Sequence, residues 1–305
     1  MLKGFLKKQK RDERAELPYL LFLGCTIPRR LPFIEAASRY VLKNLGIEIE
    51  ESSEFSCCPD PTLKLTMNPK TYYAIAARNL CIAQKQNLPI LTLCNGCYYT
   101  LKNTADALKD EKVRSNVNKI LSKIGMEYSN QVTVRHVAYV LHENIPTIKA
   151  NVKYALKNVQ IAVHNGCHIL PTEDVKTIPN LTRLRVIDDV VEAIGAKSVE
   201  YPTKQECCGG NLKGISEKIA LQMMYEKLMD LKNTKCDCIT TQCPFCYINF
   251  DMRHSFIEKL YGEVPRIPTL TLVELLALSL GYKPEDIGIK YHITPCNGFL
   301  KKFGF

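Results

Sequence analysis

The sequence ILTLCNGC, residues 90–97, and its later counterpart CITTQCPFC, residues 238–246, decide the fold class. Each begins with a short apolar run typical of a buried strand and ends in two cysteines that are separated by two residues. A helical pattern follows each motif, so that each strand delivers a CxxC pair to the start of a helix. The chain therefore contains the same unit of strand, cysteine pair and helix once in each half.

Working outward from these motifs, the cysteines form a repeat of single, double and CxxC groups. In the first half, 31 residues separate Cys25 from the Cys57–Cys58 pair, and 35 residues separate that pair from the CxxC motif. The corresponding spacings in the second half are 39 and 34 residues. Chance does not readily place three such groups twice in one order, so the repeat predicts a duplicated domain. Ten of the fourteen cysteines belong to it, namely a first set of Cys25, Cys57, Cys58, Cys94 and Cys97 and a second set of Cys167, Cys207, Cys208, Cys243 and Cys246.

The segments between the cysteines repeat as well. In the first half, the hydrophobic patterns predict strands at 19–23, 47–49 and 90–93 and helices at 33–45 and 71–86. In the second half, they predict strands at 160–164, 197–201 and 238–241 and helices at 183–194 and 216–232. Strands that alternate with helices favour parallel sheets with crossover helices. The cysteines would then gather at the carboxyl ends of the strands, where such folds usually place ligands.

The predicted fold class is therefore α/β, with two repeated cysteine-rich domains built from parallel-sheet βα units. We assign residues 1–16 to a basic N-terminal extension, 17–150 to the first domain and 151–305 to the second. The connecting segment 102–157 has a mainly helical pattern. Because it contains no linker rich in proline, glycine or serine, the two halves are expected to pack around a shared centre.

Composition narrows the class of protein. The apolar fraction of 46% and the charged fraction of 24% are those of an ordinary globular chain, and 305 residues are enough to fold without staples. Disulfide frameworks belong mainly to small secreted domains. The apolar segment 17–23 loosely resembles an export signal, but Pro18 interrupts it and acidic residues precede it. The surplus of cysteines thus indicates metal or redox chemistry in a reducing compartment, and a cytoplasmic location is expected.

The net charge of +10 does not indicate a nucleic-acid partner, because the charges are dispersed and no basic run is interleaved with aromatic residues. The one dense basic cluster, residues 3–14, has two interpretations, a solvated mobile extension or a docking segment for a partner protein. The longest apolar run, 270–280, is interrupted by Glu274 and is too short to span a membrane. We therefore expect neither nucleic-acid binding nor a direct membrane span.

Thiolates are soft ligands that suit zinc, copper(I) or iron-sulfur clusters. A structural zinc site and an ordinary iron-sulfur cubane each take four ligands, whereas each half of this chain offers five cysteines. The residues alone favour iron-sulfur clusters and leave zinc or catalytic dithiols as alternatives. The remaining cysteines have no counterpart in the repeat and are expected to be small buried apolar residues: Cys81, Cys236, Cys238 and Cys296.

The duplicated motif resembles the tandem cysteine-rich, or CCG, domains, and residues 17–300 are similar to the B subunit of heterodisulfide reductase from methane-metabolising archaea. The residues that carry the resemblance are Phe22-Leu23-Gly24-Cys25, Ala76-Ala77-Arg78-Asn79, Cys94-Asn95-Gly96-Cys97, His164-Asn165-Gly166-Cys167-His168, Cys207-Cys208-Gly209 and Cys243-Pro244-Phe245-Cys246. The resemblance implies that each five-cysteine set holds a noncubane [4Fe-4S] cluster. It also implies the family reaction, which is reductive cleavage of the mixed disulfide of coenzyme M and coenzyme B between the two clusters.

Cleavage of a disulfide takes two electrons and clusters exchange them singly, so two facing clusters match the stoichiometry. His168 directly follows a proposed ligand and is a candidate proton donor to a departing thiolate, although a lone loop histidine is more often structural. Lys213 is a candidate cation for anionic groups of the substrate, with a solvated surface lysine as the alternative. His164 lies in a predicted strand, where a packed core residue is expected.

Three features depart from the family pattern. The first double cysteine is followed by Pro59-Asp60 rather than glycine, the glycine-rich stretch after Cys208 is short, and the basic extension is additional. The second of these puts the expected substrate pocket in doubt. None of the three removes a proposed ligand.

The resemblance implies partners as well: an iron-sulfur C subunit, a flavin-containing A subunit and, as donors, a hydrogenase or formate dehydrogenase. One rival is a tandem-CCG subunit of succinate, lactate or glycolate oxidation. Several such chains carry a fused ferredoxin-like domain, which is not expected here, and this favours a subunit that receives electrons from separate chains. A second rival is a zinc-stabilised scaffold without redox activity.

Overall fold

The computed structural model describes residues 17–129, 131–169 and 184–305. The basic extension assigned to residues 1–16, with its dense cluster of charges, lies outside the described residues. So does residue 183, where the first helix of the second half was expected to begin.

Each half contains one four-stranded parallel sheet, and the two sheets have the same strand order. The first sheet runs β2-β1-β3-β4, with β1 Tyr19–Phe22, β2 Ile49–Glu50, β3 Ile90–Thr92 and β4 Val134–His136. The second runs β6-β5-β7-β8, with β5 Gln160–Val163, β6 Lys197–Val199, β7 Cys238–Thr241 and β8 Thr269–Thr271. The predicted α/β class with parallel βα units is confirmed, whereas the boundary at residue 150 stays a prediction.

Helices connect the strands in both halves. The α-helices of the first half are α1 Thr26–Arg30, α2 Pro32–Asn44, α3 Pro69–Gln86, α4 Asn95–Ala107, α5 Glu111–Leu121, α6 Val137–Glu143 and α7 Ile145–Asn151. Those of the second half are α8 Val186–Ala193, α9 Glu217–Lys232, α10 Pro244–Met252, α11 His254–Tyr261, α12 Leu272–Ser279 and α13 Asn297–Leu300. Short 3-10 turns at Pro61–Leu65 and Gly210–Gly214 follow the two double cysteines.

Local signals set the limits of the crossover helix α3. The Asn68 side chain caps its start by accepting from the backbone N–H of Lys70, and Pro69 occupies the first helical position. The helix ends at Asn87, which adopts the left-handed conformation with φ of 54°. These signals place the observed helix close to the predicted range 71–86.

Two short strands were not expected from the sequence. The segment 102–157 is mainly helical as predicted, but it also contains β4 Val134–His136, which completes the first sheet. Likewise, the apolar run 270–280 comprises the end of β8 and the whole of α12 rather than one element. Neither strand leads into a cysteine of the repeat, so only a three-residue apolar pattern marked it beside the longer helices. Within the described residues, no helix combines the length and apolar character that a membrane span requires.

The two halves share one hydrophobic core. Helix α2 of the first half packs against α12 of the second, and α8 of the second half packs against α6 of the first. In each case, a helix that follows the first strand of one half packs against the helix that follows the fourth strand of the other half. Val41 and Leu42 lie in the same buried cluster as Leu275 and Leu276. The expectation that the halves pack around a shared centre agrees with this arrangement.

Candidate metal centres

The two CxxC motifs lie where β3 and β7 end and helices α4 and α10 begin. Cys94 and Cys243 are the N-cap residues of these helices, and Cys97 and Cys246 lie in the first turn. Backbone N–H groups at a helix start have no partner within the helix and favour negative charge, so this position stabilises thiolates. The carboxyl edges of both sheets therefore present sulfur ligands, as the alternation of strands and helices predicted.

The first set of cysteines surrounds a small cavity. All five side chains line a space of about 90 Å³. The Sγ atoms of Cys58 and Cys97 are 3.3 Å apart. Cys58, Cys94 and Cys97 are buried, whereas Cys25 and Cys57 are exposed, so the site has a dry inner side and a side open to solvent.

The second set has the same arrangement. The Sγ atoms of Cys208 and Cys246 are 3.3 Å apart, and those of Cys167 and Cys207 are 3.8 Å apart. Cys208, Cys243 and Cys246 are buried, Cys207 is half-buried and Cys167 is exposed. Both sets therefore consist of three inner and two outer sulfurs, and the structure brings together all ten cysteines of the repeat in two groups of five.

Hydrogen bonding among the thiols gives each set thiolate character. In the first set, hydrogen bonds from Cys57 and Cys97 lower the pKa of Cys58 well below its usual value. In the second set, hydrogen bonds from Cys167 and Cys208 and from the Gly209 N–H lower the pKa of Cys207 to about 2. Metal ligation requires deprotonated cysteine, and these hydrogen bonds favour that form at Cys58 and at Cys207.

The two sets meet at their inner cysteines. The Cys243 thiol of the other half raises the pKa of Cys94. Hydrogen bonds from Cys246 and Cys94 lower the pKa of Cys243. Pro244 and Phe245, which belong to the second CxxC motif, line the cavity of the first set. The two groups of sulfurs are therefore neighbours across the boundary between the halves.

Polar side chains hold this boundary together. Asn95 Nδ2 donates to the carbonyl of Asn165 at 2.7 Å, and in return Gln242 Nε2 donates to the carbonyl of Leu93 at 3.3 Å. Both amides are buried, with at most 1% of their surface exposed. Because a buried carbonyl without a donor is costly, these bonds fix the distance between the two groups of sulfurs.

A glycine in each half allows the first cysteine to approach its set. Gly24 and Gly166 have φ values of +68° and +75°, which other residues rarely adopt. A Cβ atom at Gly24 would lie 2.8 Å from Cys97 Sγ, and one at Gly166 would lie 2.5 Å from Asn95 Nδ2. The glycine of each Gly-Cys pair is therefore part of the site, because a side chain there would clash with Cys97 or Asn95.

His164 shows that the second set has room for a bound group. Its side chain is fully buried, packs edge-on against Phe250, and has no hydrogen-bond partner at either ring nitrogen within the described part of the chain. Burial lowers the pKa of His164 to about 3, so the ring is neutral and one nitrogen carries a proton. Ligand atoms of His164, Cys208 and Cys246 lie within 4.8 Å of one another.

The predicted core position of His164 is thus correct, but the residue also faces the second set. Five convergent thiols in each half, with a partly dry interior and an unpartnered ring nitrogen beside the second set, fit an iron-sulfur group.

Lys227 also lies close to the second set, and sequence reasoning did not identify it. Its side chain is buried in α9, with 1% exposed, and its ammonium donates to the carbonyl of Thr203. Burial lowers the pKa of Lys227, whereas the sulfur of Cys208, among other groups, acts in the opposite direction. The sequence signal was available, because Lys227 falls on the apolar stripe of its helix beside Leu228 and Leu231.

Of the two candidate catalytic residues, His168 lies beside the second set, and Lys213 lies in the turn that follows its double cysteine. His168 Nδ1 is 3.7 Å from Cys167 Sγ, and its ring packs edge-on against Tyr99 of the other half at 4.8 Å. Lys213 is exposed in the 3-10 turn Gly210–Gly214. Their proposed roles stay predictions. Of the cysteines outside the repeat, Cys81, Cys238 and Cys296 are buried and Cys236 is half-buried.

Comparisons with known proteins agree with the duplication. A family model described as the cysteine-rich domain, CCG, matches the chain at residues 19–102 and again at 161–251. The first match contains all five cysteines of the first set, and the second match contains all five of the second. A solved structure of a hypothetical protein from Helicobacter pylori is similar in fold, with a TM-score of 0.73 at 14% identity, over 93% of this chain and 54% of that one.

Several curated relatives match almost the whole length, and two of them differ in their named function. The chain is 33% identical to the B subunit of the ferredoxin/F(420)H(2)-dependent CoB-CoM heterodisulfide reductase of Methanosarcina acetivorans, over 92% of this chain and 95% of that protein. It is 28% identical to the membrane anchor subunit of the 8-methylmenaquinol:fumarate reductase of Wolinella succinogenes, over 90% of this chain and 96% of that protein. The resemblance stated from the motifs is confirmed by these matches.

Proposed function

This chain belongs to the family of tandem cysteine-rich (CCG) domain proteins that includes the B subunit of heterodisulfide reductase, and on that premise we propose that it is a disulfide-reducing subunit of this type. Its substrate would be the mixed disulfide of coenzyme M and coenzyme B. The observation that carries the proposal is that the two five-thiol groups are neighbours, since Pro244 and Phe245 of the second CxxC motif line the cavity of the first set. A disulfide needs two electrons, and two adjacent one-electron centres supply that number.

The proposed cofactors are two noncubane [4Fe-4S] clusters, one for each set of five cysteines. Five thiolates exceed the four that a structural zinc or an ordinary cubane uses, and this surplus supports a cluster of unusual ligation. When bound, such clusters supply one-electron redox chemistry. The chain itself holds the two groups of sulfurs in register through the amides of Asn95 and Gln242.

The outer sulfurs mark the side from which a small disulfide would enter. Cys25, Cys57 and Cys167 are exposed there, whereas the inner sulfurs are shielded from water. His168 lies beside Cys167 and is proposed to give a proton to a departing thiolate. Lys213, exposed in the turn that follows the second double cysteine, is proposed to attract an anionic group of the substrate.

We extend the proposal to the assembly in which the chain works. An iron-sulfur C subunit and a flavin-containing A subunit would deliver electrons, with a hydrogenase or formate dehydrogenase as their source, in the cytoplasm. The relative from Methanosarcina acetivorans is named as one lettered subunit of a reductase, and this supports a complex of several chains. A second candidate is the iron-sulfur subunit of another oxidoreductase, and the 28% identity to the fumarate reductase subunit from Wolinella succinogenes favours it over a zinc scaffold.

Anaerobic purification followed by metal and sulfide analysis tests the cofactor, with about eight irons expected per chain for two four-iron clusters. One or two zincs in place of iron would overturn the redox interpretation. The reaction is tested by mixing the iron-replete protein with reduced viologen and the heterodisulfide and following viologen oxidation. An iron-replete protein that oxidises no viologen upon addition of the disulfide would favour the second candidate.

A further inference from the structure

The two sets of cysteines have different charged neighbours, although their helices correspond position by position. The buried residues Tyr72, Ala76, Asn79, Leu80 and Ala83 of α3 have the same spacing as Ala220, Met224, Lys227, Leu228 and Leu231 of α9. Asn79 of the first half therefore corresponds to Lys227 of the second. The duplication places a neutral amide beside one set and a buried cation beside the other.

Lys227 has no carboxylate partner at ion-pair distance among residues 17–129, 131–169 and 184–305. Its ammonium contacts the carbonyl of Thr203 and lies 5.7 Å from the centre of the Tyr201 ring. Tyr201 lies in the same buried cluster as Cys208 and Cys246, and a Cβ at Gly209, the residue after Cys208, would lie 2.8 Å from the carbonyl oxygen of Ala220 in α9. The helix of Lys227 therefore packs against the second set, and the sulfurs of Cys207, Cys208 and Cys246 and the carboxylate of Glu206 are negative groups that act on its ammonium.

Glu206 is exposed to solvent, so water screens its charge. A buried ammonium is costly without a nearby anion, and the buried sulfurs of the second set are the remaining candidates for that role.

The first set has a neutral side chain and an acidic one as neighbours, and no counterpart of the Lys227 ammonium at Asn79. Asn79 accepts a hydrogen bond from the backbone N–H of Ser56 at 2.9 Å and donates to the carbonyl of Cys57 at 3.2 Å, so it carries no charge to the sulfurs. Among the described residues that line the cavity of this set, the charged side chain is that of Asp60. Asp60 is half-buried and is held by the backbone N–H of Thr62 and by Asn211 of the other half.

A second difference between the halves also favours a higher reduction potential at the second set. His164, which has a ring nitrogen within 4.8 Å of the sulfurs of Cys208 and Cys246, stands where the first half has the apolar Phe22, since each lies three residues before the first cysteine of its set. Net charge and hydrogen bonds to sulfur are two of the factors that set the reduction potential of an iron-sulfur cluster. A reduced cluster is more negative than an oxidised one, so a nearby cation or N–H donor stabilises it, and a nearby carboxylate destabilises it.

We propose that Lys227, assisted by His164, gives the centre held by the second set the higher reduction potential, so that the first electron entering the chain resides there. The inference rests on the proposed function, because it requires a redox cluster in each set. The step is a one-electron reduction in which a one-electron donor loses the electron that the second centre gains. No covalent bond forms or breaks, and Lys227 keeps its proton.

A redox titration tests the inference without substrate. Iron-replete protein is titrated anaerobically with dithionite and mediators, and the two one-electron transitions are followed by EPR and visible absorbance. In the Lys227→Met variant, the transition at higher potential is expected to move down by at least tenfold in its equilibrium constant, which is about 59 mV for one electron. Lys227→Arg, which keeps the charge, is expected to move it much less.

Asp60→Asn is the matched variant in the first half, and it is expected to move the transition at lower potential upward. The inference is wrong if Lys227→Met moves the lower transition, or if it moves neither. If Lys227→Met fails to fold or to load iron, His164→Phe is the second variant, because it introduces the residue found in the first half. It is also expected to lower the potential of the higher-potential transition. Iron analysis is done first, so a protein without clusters contradicts the proposed function and is distinguishable from clusters whose potentials ignore Lys227.

Discussion

The two halves of this chain share their strand order and their cysteine geometry but differ in the residues behind the sulfurs. Each half has a Gly-Cys corner at the end of its first strand, a double cysteine and a CxxC pair at a helix start. Behind the first set stand Phe22 and Asn79, and behind the second set stand His164 and Lys227. The two halves therefore share their cysteines, whereas the residues behind those cysteines differ.

The same contrast is found at the helices after the fourth strands. Tyr139 occupies the third position of α6 and donates through its hydroxyl to the carbonyl of Ile169 in the other half. Glu274 occupies the third position of α12 and instead pairs with His292 at 2.7 Å. In the first half this position joins the two halves of the chain, and in the second it contacts the C-terminal segment through His292.

The largest expected effect comes from removing one ligand in each half, with Cys97→Ser compared to Cys246→Ser. Each variant is expected to lower the iron content from about eight to about four per chain, since each cysteine serves one cluster. Each is also expected to lose at least about 100-fold in disulfide reduction, because even residues that only orient a ligand typically cost about 10 to 100-fold. Iron analysis and viologen oxidation measure the two effects.

Cys81→Ser is the control for these variants, because Cys81 is buried in α3 but lies outside the repeat. It is expected to keep about eight irons. If Cys97→Ser kept all of its iron, or if only one of the two ligand variants lost activity, the two halves would not be equivalent sites.

The first half has a single hydrogen bond from Tyr139 where the second half has the buried pair of His292 and Glu274. Removing the buried pair should therefore lower the free energy of unfolding more than removing the Tyr139 hydroxyl. At most 1% of either side chain is exposed, and His292→Leu would leave the Glu274 carboxylate buried without a counter-ion. We expect the free energy of unfolding to fall by about 3–5 kcal/mol. Tyr139→Phe, which removes one hydrogen bond, is expected to cost about 1 kcal/mol. Anaerobic urea unfolding of the iron-loaded protein measures both.

The pH dependence of this pair has a defined sign. Burial acts to lower the pKa of His292, but the Glu274 carboxylate and contact with Cys296 outweigh it and raise the value from 6.5 to about 11. A raised pKa means that the stabilisation is complete below 6.5 and is lost as the pH rises toward about 11. The difference in stability between wild type and His292→Leu should therefore shrink from about pH 7 to about pH 10. A difference that grows with pH would show that the pair is not ionised.

Local patterns in the sequence were enough to predict the repeated strands, the long helices and the positions of both CxxC motifs. The CxxC cysteines lie at helix starts, and helix starts are determined by residues close in sequence. The position of these cysteines at the sheet edge could therefore be inferred. Contacts between distant segments could not be predicted in this way. The pairing of α2 with α12 and the fourth strand of each sheet, β4 or β8, depend on residues far apart in the chain.

Lys227 shows a different reason for failure. A lysine in an amphipathic helix is ordinarily solvent-exposed, and its burial is stable only where tertiary structure supplies negative groups. The sulfurs that do so here lie well before or after the lysine in the chain, at Cys207, Cys208 and Cys246. Sequence reasoning found the cysteines because they repeat. The place of Lys227 on the apolar stripe of α9 was a weaker signal, because it does not identify the groups that Lys227 faces.

The smallest expected effect concerns the Gly-Cys corner at Gly24. Comparing an alanine substitution there with one at Gly46 separates the cost of backbone strain from the cost of crowding a cysteine. Gly24→Ala and Gly46→Ala introduce a Cβ at nearly the same φ, +68° and +69°, and so share a cost of about 1–2 kcal/mol. Only the Cβ at Gly24 meets another atom, 2.8 Å from Cys97 Sγ, whereas nothing lies within 4 Å of one at Gly46. Gly24→Ala should therefore destabilise the iron-loaded protein by roughly 1 kcal/mol more in urea unfolding and also lower its iron content.

Gly166→Ala extends the test to the second half. Its Cβ would lie 3.4 Å from Cys246 Sγ but 2.5 Å from Asn95 Nδ2, which bonds the carbonyl of Asn165 across the boundary. We expect a loss of stability similar to that of Gly24→Ala, about 1–3 kcal/mol, with a smaller loss of iron, because the atom displaced is an amide and not a ligand. Equal iron loss in the two variants would mean that the amide contact controls cluster binding in both halves, and that the corners are coupled through Asn95.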